Sequence, residues 1–295
     1  MIGLERREVQ RVVDLALAED APFGDLTSQA FVPADAVAHA ELVAREHGVL
    51  SGIEVFVVAM TTLDEEVVVK PLVADGEAFP STSVLATVEG PARSVLQAER
   101  VALNLVQRMS GIATLTARYV SAVSDTSARI VDTRKTTPGL RALERYAVRC
   151  GGGHNHRYSL SDAVMAKDNH LAVVEDVTAA LRRAASELPH TTHIEVEVDR
   201  LDQIEPVLES GVVGTIMLDN FDVPDLVKGV ELVAGRAIVE ASGGITLETV
   251  GEVARTGVDV ISVGALTHSV RSLDLGLDLS LGPAGVPGRG RRTAQ

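Results

Sequence analysis

The sequence predicts an α/β protein: a barrel of parallel βα units, preceded by a region of helices and antiparallel strands. Three observations carry that expectation. First, four apolar runs in the second half, HIEVEV (193–198), TIMLDN (215–220), AIVEASGG (237–244) and VDVISVGA (258–265), end in polar or glycine tips at Glu197, Asp219, Ser242 and Gly264, spaced by 22, 23 and 22 residues. A strand, a loop, a helix and a second loop fill such a length, so the repeat reads as successive βα units. Second, no G-x-G-x-x-G follows a first strand and no Walker A sequence is present, which favours a closed barrel over an open nucleotide-binding sheet. Third, the candidate functional residues fall at the tips of several different strands, as barrels arrange them.

The elements follow in order. Glu5 to Glu19 carries Val9, Val12, Val13, Leu15, Ala16 and Leu17 at near-helical spacing, and Pro22 and Gly24 end that helix. Asp25-Leu26-Thr27 is expected to begin a turn. Segments 37–46, 66–73 and 82–89, rich in Val, Leu and Ala between Gly, Pro and Asp, read as antiparallel strands. A helix is expected from Ser94 to Arg108, closed by Ser110-Gly111, and a second from about Ala113 to Val123. Strands at 129–132 and 163–166 extend the parallel series, with helices at 201–210, 222–233 and 246–256 between the later strands. The Gly/Pro-rich basic segment 282–295 is expected to be a tail without packed structure.

Composition narrows the function classes. A chain of 295 residues corresponds to about two domains. Its net charge of −14 argues against partners held through phosphate-backbone or anionic-bilayer attraction. The longest apolar stretch, 49–60, is too short to span a membrane and contains Glu54. A single Cys and an opening without a signal-peptide core point to a reducing, cytoplasmic setting.

Charge is unevenly spread. Between Asp132 and His170 stand seven cations (Arg134, Lys135, Arg141, Arg145, Arg149, Arg157 and Lys167) against four acids, with His154, His156, His170 and three consecutive glycines. A solvated face accounts for any one of these residues but not for their density. A small polyanionic ligand does, since Arg forks suit carboxylates and Lys suits phosphates. In HIEVEV, Glu195 and Glu197 share one face with His193, pointing into the barrel, where an unpaired carboxylate is costly. Cations or a metal are therefore expected beside them. Glu197 and Asp219, at adjacent tips, suit an all-oxygen Mg²⁺ site, or else a structural pairing with Lys or Arg. Ser242-Gly243-Gly244 and Val263-Gly264-Ala265 let backbone N–H groups approach a phosphate. The spacing of Cys150, His154 and His156 fits no usual zinc pattern, and no G-x-S-x-G elbow occurs.

These residues resemble a known family. DTRKTTPGLRALERYAVRCGGGHNHRYSLSDAVMAKDNH (132–170) is similar to the central signature of the quinolinate phosphoribosyltransferases. GDLT (24–27), ERVALNLVQRMSGIAT (99–114), EVEV (195–198), LDN (218–220), EASGGI (240–245) and GVDVISVGALTHS (257–269) extend the likeness in order. Ala166, where a bulkier apolar residue is usual, and the basic tail depart from it. The resemblance implies an incomplete α/β barrel (about 113–269) and an N-terminal α+β open-faced sheet domain (1–112) completed by about 270–281. It implies Mg²⁺-dependent transfer of phosphoribosyl from phosphoribosyl pyrophosphate to quinolinate, with decarboxylation to nicotinate mononucleotide in NAD biosynthesis. It implies a homodimer with shared active sites, Arg100 crossing from the neighbouring subunit. Thr133, Arg134, His156, Arg157 and Lys167 would surround quinolinate, and Lys135 would lie between the substrates. Glu197 and Asp219 would serve the ribose hydroxyls and Mg²⁺, and Ser242, Gly243, Gly244, Val263, Gly264, Ala265 and His268 would hold the 5′-phosphate. The alternatives are a paralogue acting on another pyridine acid or in molybdenum utilisation, a Schiff-base lyase using Lys135 or Lys167, and a silent binder on the same scaffold.

Overall fold

The computed structural model describes residues 3–171 and 173–283, which divide into two compact units. One holds the described residues up to Leu115, Thr137–Gly152 and those from Val270 on; the other holds Thr116–Thr136 and Gly153–Ser269. No helix among the described residues is long and apolar enough to cross a membrane.

The first unit opens with α1 (Arg6–Asp20), which buries Val9, Val12, Val13 and Leu17 along one stripe. The turn expected at Asp25 is instead a helix start. The Asp25 carboxylate accepts the N–H groups of Thr27 and Ser28 at 2.9 and 3.1 Å and caps α2 (Leu26–Phe31). Then come β1 (Ala36–Ala44), β2 (Gly48–Val49), α3 (Ile53–Thr61), β3 (Val68–Pro71), β4 (Ala78–Phe79) and β5 (Val84–Pro91). β1 is central in an antiparallel sheet, between β5 and β12 (Leu275–Pro283), with β3 outside β5. Because β12 pairs with β1 as far as Ala36↔Pro283, Gly282 and Pro283 are strand rather than the start of a tail. The rest of the expected tail, 284–295, lies outside the described residues.

Helix α4 (Ala92–Ala122) is continuous through Ser110-Gly111, where the sequence reading placed a break. Those small residues serve packing. The Ser110 hydroxyl accepts the Ser51 N–H and donates to its carbonyl, both at 3.2 Å, and a Cβ at Gly111 would stand 2.3 Å from the Arg271 carbonyl oxygen. Helix α5 (Arg141–Cys150) packs within the first unit. Its Glu144, 1% exposed, accepts from Arg108 at 2.8 Å, and Tyr146 donates to Asp75 at 3.0 Å.

The second unit is a parallel sheet in the order β6-β11-β10-β9-β8-β7. Its strands are β6 (Arg129–Val131), β7 (Val164–Ala166), β8 (Ile194–Val198), β9 (Thr215–Asp219), β10 (Ile238–Ser242) and β11 (Val260–Ser262). α6 (Asp168–Leu171), α7 (Val177–Glu187), α8 (Ile204–Leu208), α9 (Val223–Val233), α10 (Val250–Ala254) and α11 (Ala265–His268) join them. Asp176 caps α7 and Asp222 caps α9. Beyond β6 a single bridge, Val131↔His154, continues the sheet. His156, two residues on, lies 3.2 Å from Glu195 of β8. A flat sheet would separate them by five strand spacings, about 24 Å, so the sheet curls on itself.

The curl does not close, and this corrects the closed barrel expected from the strand repeat. Among the described ladders none joins the His154 segment to β7. The chain between them is drawn into a turn by Asp162, whose carboxylate accepts the N–H groups of Tyr158 and Ser159 at 2.6 and 2.7 Å. The Arg157 side chain spans the gap instead, donating to the Ala163 carbonyl at 3.0 Å. The architecture is an incomplete α/β barrel, as the family resemblance implied.

Candidate active site

The second unit gathers polar residues at the C-terminal ends of its parallel strands, the end where barrel active sites form. At its base, inside the sheet, Asp132 is fully buried; it accepts from the Asn155 amide at 2.5 Å and the His156 N–H at 2.8 Å. His156 Nε2 faces Glu195 Oε2 at 3.2 Å and Glu240 Oε1 at 3.6 Å, and its Nδ1 accepts the Arg157 N–H at 2.6 Å. Burial opposes charge on this imidazole. The Glu195 hydrogen bond and the charges of Glu240, Glu195 and Asp132 outweigh it, so the net shift is upward. Burial, reinforced by the charge of Glu195, pushes the Glu240 carboxyl up to about 7.

Above this base stand the cations. Burial, then the nearby charge of Arg134, lowers the affinity of the Arg157 guanidinium for its proton, so the pair gains from an anion between them. Lys167, after β7, pairs with Glu197 at the tip of β8. The groups that stand beside Glu195 and Glu197 are thus His156 and the cation Lys167. The ion pair also occupies the Lys167 amine, which does not suit a Schiff-base nucleophile. Asp219, at the tip of β9, accepts from the Asn220 side chain at 2.7 Å, and Asn220 N–H bonds the Ser242 carbonyl at 2.9 Å.

The two glycine tips lie on β10 and β11. Gly243 has φ +95°, and a Cβ there would sit 2.2 Å from Asn220 Oδ1. Gly264 begins the short turn of α11; a Cβ there would approach His268 at 3.0 Å and the Lys135 side chain at 3.3 Å. Buried Thr267 donates to the Lys135 carbonyl at 2.8 Å, and Thr133 accepts the Lys135 N–H at 3.1 Å. Val263 N–H bonds Val131, and Ala265 opens α11. The strand ends therefore bring together Thr133, Arg134, Lys135, His156, Arg157, Lys167, Glu197, Asp219 and both glycine tips.

Other expected members belong to the first unit. Arg100 is exposed on α4 in the first unit. Arg141, Arg145 and Arg149 of the basic island belong to α5, in that same unit. Cys150 ends α5, and burial pushes its thiol up to about 11, away from metal-binding thiolate character. A cleft of about 430 Å³ lies beyond β8 and β9, lined by Asp199, Asp202, Asn220, Asp222 and Asp225 among others. Of the residues above it shares only Asn220, and its aspartates suit no anion. Sequence reasoning missed Glu240, Asp132 and Asn220 as members of the site. Glu240 was detectable as an acid inside an otherwise apolar strand.

A profile of the quinolinate phosphoribosyl transferase N-terminal domain matches residues 25–110, and one of the C-terminal domain matches 112–278. The chain belongs to the quinolinate phosphoribosyltransferase family. Among family members, it is 49% identical over 276 residues to the nicotinate-nucleotide pyrophosphorylase [carboxylating] of Mycobacterium leprae, covering 90% of this chain and 94% of that one. The crystal structure of NadC from Streptococcus pyogenes matches with a TM-score of 0.91 at 40% identity, over 95% of this chain and 99% of that one. The nicotinate-nucleotide pyrophosphorylase structure from Francisella tularensis matches with a TM-score of 0.90 at 36% identity, over 94% and 98%. The family's conserved architecture thus extends over both units of this chain.

Proposed function

We propose that this chain transfers the phosphoribosyl group of phosphoribosyl pyrophosphate to the ring nitrogen of quinolinate and releases the 2-carboxylate as CO₂, giving nicotinate mononucleotide and pyrophosphate. The supporting observation is that Arg157 feels the like charge of Arg134, at the same strand ends as Lys167 and two glycine tips. A planar dicarboxylate fits between guanidinium forks, and a 5′-phosphate fits a glycine tip that a Cβ would fill.

In this reading Arg134, Arg157 and Lys167, with Thr133, hold the two carboxylates and aim the ring nitrogen at the ribose, and His156 serves them by placing Arg157. Lys135 stands between the substrates. Ser242, Gly243, Gly244, Val263, Gly264, Ala265 and His268 hold the phosphate, fixing the ribose for in-line departure of pyrophosphate. Glu197 and Asp219 face the ribose hydroxyls and stabilise the positive charge that develops on the sugar ring. These two partly exposed carboxylates at neighbouring tips form an oxygen-only donor set that fits Mg²⁺. When bound, directly or through water and substrate, the ion would neutralise charge on the pyrophosphate. Once the nitrogen is alkylated, its positive charge stabilises the electron pair left on C2 by departing CO₂ until a proton from solvent takes its place, while the fixed cations keep the other carboxylate in place.

The reading includes a cytoplasmic homodimer with Arg100 entering the partner's site. Arg100 is exposed, and Phe23, Leu26 and Phe31 of the first unit are 92, 75 and 84% exposed, apolar surface suited to burial against a second copy. The net charge of −14 disfavours nucleic acid or an anionic membrane as a partner.

Release of labelled CO₂ from 2-carboxylate-labelled quinolinate, with phosphoribosyl pyrophosphate and Mg²⁺, tests the reaction. CO₂ and nicotinate mononucleotide should appear together and vanish with EDTA. Product from nicotinate without CO₂ release from quinolinate would replace the substrate assignment, and silence with both would reject the reading.

A further inference from the structure

His156, Glu195 and Glu240 bring one nitrogen and two carboxylate oxygens within 4.8 Å of one another inside the sheet. Glu195 and Glu240 are 4 and 3% exposed, and each has a buried oxygen (Oε1) without a hydrogen-bond partner. Two carboxylates so placed require a cation or a proton between them. The other face of the imidazole decides which. A histidine that ligates a metal donates its second ring N–H outward. Here Nδ1 instead receives the Arg157 N–H, so Nδ1 carries the lone pair and Nε2 carries the hydrogen.

We propose that Glu195 and Glu240 are positioning residues: Glu195 clamps the Nε2–H of His156 while Glu240, 3.6 Å from the same nitrogen, backs the ring, and together they fix its tautomer and, through Nδ1, the backbone at Arg157. Glu195 Oε2, at 3.2 Å, takes the hydrogen bond. A second proton has two possible homes, Nδ1 and Glu240; the surrounding acids draw it toward the ring, but the N–H aimed at Nδ1 leaves no place for a hydrogen there and assigns it to Glu240. The groups facing this proton are His156, Glu195 and Glu197 on β8 and Ser262 on β11, with Asp132 on the far side of the imidazole. His156 then acts on the substrate through the placement of Arg157 rather than as a free imidazolium. This functional half rests on the dicarboxylate reading above; the clamp itself does not.

Two-bond ¹H–¹⁵N spectra of histidine-labelled protein test the clamp without substrate, His156→Gln supplying the assignment. The expected result at about pH 7 is a neutral Nε2–H ring, kept in Glu240→Gln, whose amide mimics the neutral acid, and lost in Glu240→Ala. A doubly protonated or Nδ1–H ring in the wild-type protein would overturn the proposal. Calorimetry with quinolinate supplies the functional arm. Glu240→Gln should bind within about twofold of wild type, and Glu240→Ala about tenfold or more weakly. Equal losses in the two variants would overturn the positioning role. A neutral Nε2–H ring in a wild-type protein that binds no quinolinate would uphold the clamp and reject the dicarboxylate reading.

Discussion

Glu240 carries a carboxyl group into an interior that also holds Glu195, and the consequence reaches beyond the site. Its proton affinity lies at about 7 in the folded chain against an ordinary 4.5, because burial and the neighbouring carboxylate both penalise ionisation. Folding therefore takes up a proton between those values, and stability falls as pH rises through the window, by up to about 3 kcal/mol. Glu240→Gln removes that dependence: its melting temperature relative to wild type should climb steadily from about pH 5 to about pH 8. A constant difference would mean that Glu240 ionises normally. Gly243 gives a second single-residue test. At φ +95°, with Asn220 filling the place of a Cβ, Gly243→Ala should cost about 1–3 kcal/mol in thermal denaturation and weaken phosphoribosyl pyrophosphate binding in calorimetry.

Elements hold together through close approaches that single residues permit, and α4 shows it best. A methyl group at Gly111 would meet a backbone oxygen, which cannot swing aside as a side chain can. Gly111→Ala should therefore destabilise the first unit by about 1–3 kcal/mol, read by denaturant titration, although alanine favours helix intrinsically. The same position explains why the helix was misread as two: Ser-Gly is a stop signal locally, and only Ser51 and Arg271 reveal its packing role. Strands β8 to β11 were legible because an outward apolar set alternates with inward polar groups at a constant repeat. Helix α3 was not, since Ile53, Val55, Phe56, Val58, Ala59 and Met60 are all buried and leave no polar face to mark its period. The candidate site was readable wherever its residues stood at strand tips. Its buried base was not, because pairing among Asp132, Asn155, His156 and Glu240 depends on how far the sheet curls.

For the whole molecule, adjacency in sequence misled where charge density did not. The basic island reads as one stretch, yet α5 takes three of its arginines into the first unit while Arg134, Lys135, Arg157 and Lys167 stay at the barrel's strand ends. If active sites are shared between subunits, Arg100→Ala and Lys135→Ala should each be nearly inactive, and mixing them should restore turnover as hybrid dimers form. A mixture as inactive as its components would place Arg100 within its own subunit's function or outside it. The unclosed wall carries one more consequence. An unpaired sheet margin is a template on which another chain can add a strand, and natural proteins blunt such margins with charge. Arg157 crosses the margin where no described ladder joins the His154 segment to β7, so a substitution there that tuned ligand choice would also bare that margin. Arg157 variants should scatter more light on standing than Lys167 variants of equal activity, and that second duty would restrict how freely the position can drift.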